Sequence, residues 1–210
     1  MRIEQIVAKM ATGKLLSGIA NCHVVGVNSY VIQERVNSSQ GMVRIFHATG
    51  GHSLATMFGS DCDFSLLPHN HRQDIELILL YGQVEHFVFC IKPASSYALP
   101  VYEMRFSPVL LGGDGEFRSL GASRISAPLA SDMQVGSVVP VPYQTVHGMR
   151  VRSKSAAWAV REKAEAPKGW DPSCYSMLAS KTAPKDGFYV PLSQPELSRF
   201  AMEVVDAVSI

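Results

Sequence analysis

The sequence predicts a mainly-β protein, an antiparallel β-sandwich or barrel with a helix at each end. Three observations carry this. Between residues 23 and 161 the chain breaks into about ten to twelve short runs rich in Val, Ile, Phe, Tyr and Thr, with turn clusters between them. No stretch in that region keeps the 3.6-residue period of an amphipathic helix. Both ends of the chain do keep it.

Ile3, Ile6, Val7 and Met10 fall three and four apart and form one apolar face of a helix over residues 2–11, with a further turn or two around Leu15 and Leu16. Residues 24–36 and 42–48 are β-rich and flank the turn cluster Asn37-Ser38-Ser39-Gln40-Gly41, so they read as a hairpin. Gly50-Gly51 leads into a strand over 53–58, and Gly59-Ser60-Asp61 into one over 64–71. Residues 75–81 are apolar throughout, Gly82-Gln83 turns, and 84–91 returns. A loop over 92–96 precedes a strand over 101–106, whose alternation puts Tyr102, Met104 and Phe106 on one face and Glu103 and Arg105 on the other. A turn at 112–115 separates it from a strand over 119–127, and 134–140, 145–151 and 156–161 complete the β region.

Beyond Glu162 the composition shifts. Residues 163–172 read as a segment wrapping the outside, and 184–195 are turn-rich. Ser193 with Glu196 makes a capping box, and Leu197, Phe200, Ala201, Val204, Val205 and Val208 follow at helical spacing. That stripe packs on the outer face of the sheet or at a dimer contact. The expected organisation is one domain: a helical lead-in over 1–20, a β-barrel over 21–162, and a wrapping segment and helix over 163–210.

With 210 residues, 47% of them hydrophobic, the chain can bury a substantial core. A net charge of +1, from 19 basic and 18 acidic residues, gives no electrostatic case for nucleic acid or an anionic membrane as partner. No apolar run is long enough to span a bilayer, and residues 1–5 begin no hydrophobic signal core. Cys22, Cys62, Cys90 and Cys174 are scattered, so reduced thiols and a cytoplasmic location are expected.

The chemistry concentrates in Pro68-His69-Asn70-His71-Arg72-Gln73-Asp74-Ile75-Glu76. In an extended chain His69 and His71 point the same way, roughly 7 Å apart, close enough to converge on one metal ion. Glu76, at the start of the next strand, can reach the same point. A second stretch runs from Gly136 through Pro142 and Tyr143 to His147. Together they resemble the two motifs of the cupin superfamily. The first of these is Gly, five residues, His-x-His, three or four residues, Glu, six residues, Gly. The second is Gly, five residues, Pro-x-Gly, two residues, His, three residues, Asn. This chain has His69-x-His71, four residues, Glu76 and then Gly82, one short of that spacing. It has Gly136, five residues, Pro142, four residues, His147 in full register. It departs at Asp63, Gln144 and Val151, which stand at motif Gly, Gly and Asn positions, and in a long intermotif segment over 83–135.

The resemblance implies a cupin-like jelly roll holding a divalent metal on His69, His71, Glu76 and His147, with Fe(II) favoured and Zn, Mn or Ni as alternatives. By strand parity Glu76, Ile78 and Leu80 share a face turned into the barrel, and Val84, His86, Val88, His147 and Met149 face the same cavity. Glu76 and His86 are candidates for proton transfer, with a hydrogen-bonded strand histidine the other reading of His86. Arg72 is a candidate for an anionic substrate group, Tyr81 and Tyr143 for donors beside the two motifs, and Met149 for the pocket wall. Arg150 and Arg152 point away from His147 and pair with acidic neighbours or water. His23, His47 and His52 are structural. The function implied is a metal-dependent cupin acting on a small molecule, foremost a non-haem iron dioxygenase. Thiol dioxygenases, which hold iron on three histidines, are similar in size and in their helical lead-in, although a Glu76 ligand would leave fewer open positions. The alternatives are a non-redox isomerase or lyase of a sugar or keto acid, and a cupin that only binds a small molecule. The sequence leaves the oligomeric state open, and an edge strand or the C-terminal helix could pair two subunits in a homodimer.

Overall fold

The computed structural model describes residues 2–12, 15–22, 26–34, 41–49, 68–92, 99–106, 117–126, 129–165, 171–176 and 190–208. The expected strands over 53–58 and 64–67, the turn at 112–115, the stretches 166–170 and 184–189, and Asp63, His23 and His52 lie outside these residues. In chain order the elements are α1 (Ile3–Ala11), β1 (Ser17–Ala20), β2 (Val27–Gln33), β3 (Val43–Thr49), β4 (Gln73–Tyr81), β5 (Val84–Phe89) and β6 (Leu99–Phe106). Then come β7 (Phe117–Ile125), β8 (Leu129–Asp132), β9 (Val138–Val141), β10 (Val146–Val151), β11 (Ser155–Glu165), β12 (Cys174–Ser176), β13 (Val190–Pro191) and α2 (Gln194–Val208). The protein is mainly β, with antiparallel sheets and a helix near each end. No helix among the described residues is long and apolar enough to cross a membrane.

Seven strands make the larger sheet, in the order β13-β1-β2-β3-β11-β4-β9. Its two faces are both covered. Tyr30, Ile32, Val43, Ile45, Ile78, Leu80, Ala157 and Ala159 point outward and pack with Ile6 and Met10 of α1 and Leu197, Phe200, Ala201 and Val204 of α2. The rings of Tyr30 and Phe200 stack at 3.4 Å. Val27, Ala48, Ile75, Leu77, Leu79, Ala156 and Trp158 point inward and pack with Val84 and Met149 from the facing strands and with Met133, just after β8. The C-terminal stripe thus takes the first of its two expected uses, against the sheet. At its start Ser193 donates to Glu196 Oε2 from its backbone N–H at 2.7 Å, the glutamate half of a capping box, and from its hydroxyl at 2.6 Å. Leu15 and Leu16 do not extend α1; the Leu16 N–H donates to the Val31 carbonyl at 2.9 Å and leads into the sheet.

The opposite layer contains two three-stranded sheets, β8-β5-β10 and β12-β6-β7. The segment around His69 joins them. His69 forms an antiparallel bridge with His147 of β10 on one side and with Cys174 of β12 on the other. His69 and His147 exchange both backbone hydrogen bonds, at 2.8 and 2.9 Å. Asn70 locks the other side: its Oδ1 accepts from the Ser173 N–H at 2.7 Å, and its own N–H donates to the Ser173 carbonyl at 3.1 Å. The seam of this layer is therefore built from the first motif itself. Phe87, Phe89, Val101, Ile125, Val146 and Tyr175 form a third apolar cluster within this layer.

Candidate metal centre

Two rules of β geometry bring three imidazoles together. Residues directly opposite in an antiparallel pair project to the same face, so His69 and His147 stand side by side. Residues two apart in an extended chain share a face, which adds His71. The ring centroids of His69 lie 4.8 Å from those of both His71 and His147, and those of His71 and His147 are 5.0 Å apart. The ligating nitrogens of the three all lie within 4.8 Å of one another. Backbone contacts hold the second stretch against the first: the His71 N–H donates to the Tyr143 carbonyl at 3.2 Å, and the Tyr143 N–H donates to Asp74 Oδ1 at 2.9 Å.

The Nε2 atoms of His71 and His147 face each other at 2.7 Å. Two nitrogens each ~2.1 Å from one ion at a right angle stand about 3 Å apart, so a small outward shift of the rings admits a metal. The remaining nitrogen of His147, Nδ1, lies 2.9 Å from His86 Nε2. A ligating nitrogen carries no hydrogen, so with Nε2 on a metal the Nδ1–H of His147 donates to His86. That contact selects the tautomer and fixes the ring plane. His86 reaches this place because it is the diagonal cross-strand neighbour of His147, which pairs with Val88. Burial holds the His147 imidazole well below its usual range, and His69, His71 and His86 push it further the same way. Burial, followed by His69, lowers His86 as well. A neutral ring is the form a metal needs. The donor set fits a divalent ion of the imidazole-preferring group, Fe, Zn, Ni or Cu.

Glu76 is not part of this group, and the expectation that it is a ligand or an acid–base group at the metal is corrected. Its side chain leaves β4 on the helix side with Ile78 and Leu80, whereas Ile75 and Leu77 face the cavity. There it pairs with Arg161 and, at 3.1 Å, with Lys163. Burial alone would raise its carboxyl, but the hydrogen bonds from Arg161 and Lys163 outweigh that and hold it below the usual carboxylate range. Tyr81 is also turned away. A register shift between β4 and β11 puts it against the helix-side cluster, with its ring 6.4 Å from that of His47. Arg72 is exposed and pairs with Asp171 at 3.4 Å. The Tyr143 hydroxyl accepts from Gln144 Nε2 at 3.0 Å, and it is the backbone of Tyr143 that braces His71. Met149 does line the cavity, with His69, His71 and His147. Arg150 and Arg152 turn from His147 to Glu85, at 3.4 and 2.6 Å.

The cavity beside the three histidines has a volume of about 180 Å³. Sequence reasoning missed much of its wall: Arg44 and Phe46 of β3, Gln73 of β4, and Trp158, Val160 and Glu162 of β11. A signal was present in the strand patterns, since Val43 and Ile45 alternate with Arg44 and Phe46, and Ala157 and Ala159 with Trp158 and Val160. In a sheet covered on both faces, the charged member of such a pattern points into a cavity instead of into water.

No protein-family model matches the chain, and no curated protein matches it. Several solved structures resemble it loosely, cupin domain proteins among them. A cupin 2 conserved barrel domain protein from Rhodopseudomonas palustris matches at 15% identity over 67% of this chain and 63% of its own, with a TM-score of 0.33. The hydroxypropylphosphonic acid epoxidase from S. wedmorenis matches at 10% identity over 70% of this chain and 55% of its own, with a TM-score of 0.39. Drosophila melanogaster CENP-C bound to CAL1 matches at 7% identity over 76% of this chain and 98% of its own, with a TM-score of 0.40. The chain thus spans 55% to 63% of the length of the first two. These are loose likenesses of architecture between proteins of different roles.

Proposed function

We propose that this chain is a metal-dependent enzyme of the cupin kind that holds Fe(II) on His69, His71 and His147 and oxidises a small molecule in the adjoining cavity. The observation that carries the reading is the convergence of three imidazole nitrogens within 4.8 Å on the wall of a cavity of mixed apolar and polar lining. Bound there, an Fe(II) ion would supply Lewis acidity and redox chemistry toward O2 and a chelating substrate. The chain supplies the rest. His86 would accept the Nδ1–H of His147, the Tyr143 carbonyl fixes the backbone of His71, and Leu77, Met149 and Trp158 give the cavity its apolar wall. With Glu76 paired on the far side of β4, three protein donors remain and several positions stay open. This removes the objection that a fourth ligand raised against a thiol dioxygenase-like reaction, and it weakens the case for Mn, which prefers oxygen donors.

The non-redox reading, an isomerase or lyase, now rests on Glu162. It is a carboxylate that lines the cavity, where Glu76 and His86 do not. Metal analysis of protein purified without oxygen, followed by O2 uptake with a panel of thiols and diketones, separates the two. The oxidative reading expects about one iron per chain and substrate-dependent O2 consumption. Zinc at full occupancy with no O2 uptake overturns it. His147→Ala, which removes the imidazole shared by both neighbours, should abolish stoichiometric metal binding; full metal content in that variant removes His147 from the site.

A further inference from the structure

Among the described residues, Arg44 and Glu162 are the two charged residues that line this cavity besides the histidines. Arg44 lies two residues from Phe46 on the inner face of β3, opposite Val160 of β11. Its guanidinium engages neutral groups, Met42 Sδ at 3.0 Å from Nε and the Ser29 hydroxyl at 3.4 Å from Nη1. Glu162, on the same inner face, accepts from the Met42 N–H at 3.3 Å. A half-buried cation held by neutral partners gains most from an anion that brings its own charge and two acceptor oxygens. Beyond Arg44 the floor is aromatic: Phe46 and Trp158 are cross-strand partners with nearly parallel rings, 8° apart in plane and 5.8 Å between centroids. The three histidines project into the same cavity from the facing layer, and layers packed face to face stand ~10 Å apart.

We propose that this cavity takes a small, flat, apolar molecule bearing one anionic oxygen group, with the anion on Arg44 and the body over Phe46 and Trp158. The volume sets the size. An apolar cavity of roughly 150 Å³ holds one benzene. At about 180 Å³ this one holds a ring or short chain with one added group, and no nucleotide or disaccharide. The proposal deepens the enzyme reading and rests on it only for the end of the ligand that meets the metal.

The probes are benzoate and its uncharged counterpart benzyl alcohol, titrated into Fe(II)-loaded protein under argon and followed by calorimetry and by quenching of tryptophan fluorescence. Benzoate should bind at least tenfold more tightly than benzyl alcohol. Arg44→Met should erase that preference with metal content unchanged, and Arg44→Lys, which keeps the charge, should retain part of it. Equal binding of the two probes by the unmodified protein overturns the proposal, as does an Arg44→Met protein that still prefers benzoate. Should the protein take up no metal, the enzyme reading fails. The comparison of benzoate with benzyl alcohol on that same protein then still decides the role of Arg44.

Discussion

Glu76 and His86 separate holding the metal from holding the fold. The Glu76 carboxylate lies between Arg161 and Lys163 on the helix side of β4. Glu76→Gln should therefore keep the wild-type metal content while losing about 1–3 kcal/mol of stability, because two cations lose a charged acceptor. Metal analysis and urea unfolding read the two effects separately, and loss of metal would restore Glu76 as a ligand. His86 predicts the opposite pattern. With a metal on His147 Nε2, His86 Nε2 would accept from the His147 Nδ1–H, so His86→Phe should lower metal affinity about 10–100-fold, while His86→Gln, whose carbonyl can accept the same hydrogen, should lose less. Competition with a chelating dye measures both. Equal losses in the two variants would mean that His86 only fills space.

The elements were largely legible because their signals are local. The spacing of Ile6 and Met10 marks α1, the Ser193–Glu196 box marks the start of α2, and Gly82-Gln83 marks the β4–β5 turn. Gly82 sits at a φ of +91°, and a Cβ there would stand 2.6 Å from both the Ser155 carbonyl oxygen and the Ala156 Cβ. Gly82→Ala should thus destabilise by ~1–3 kcal/mol and lower the melting temperature, since neither the backbone conformation nor the close strand can give way easily. An unchanged melting temperature would show that the turn relaxes. Which face each residue took was far less legible. β4 is apolar on both sides because helices cover one face and a facing layer the other, so alternation carries no sign for Glu76. The register shift near Ala157 and Trp158 then moved Tyr81 to the helix side, a displacement set by a strand about eighty residues away in sequence.

Across the whole molecule, the order of the two motifs disclosed that distant histidines meet, but not how. His69 meets His147 through backbone pairing that also closes on Cys174, and that seam depends on three chain segments docking at once. The same two-sided burial of the large sheet predicts a pH response away from the metal site. His47 leaves β3 on the helix side, with the ring of Phe200 at 5.3 Å and that of Tyr81 at 6.4 Å. Burial lowers its imidazole from the usual value of 6.5, and Glu203 of α2 opposes that without cancelling it. The unfolded chain gains a proton as pH falls through about 6.5, while the folded chain does so only at lower pH. Stability should accordingly be independent of this group above that pH and fall below it, by up to ~1.4 kcal/mol per pH unit until the folded value is reached. In His47→Phe that contribution is gone, and the buried His86 and His147 titrate alike in both proteins and cancel in the comparison. Urea midpoints at pH 7.5 and 5.5, taken with metal removed, should drop more for the parent than for His47→Phe. Parallel drops would mean that His47 carries a proton inside the fold, and that α2 seals this face of the sheet less tightly than its packing implies.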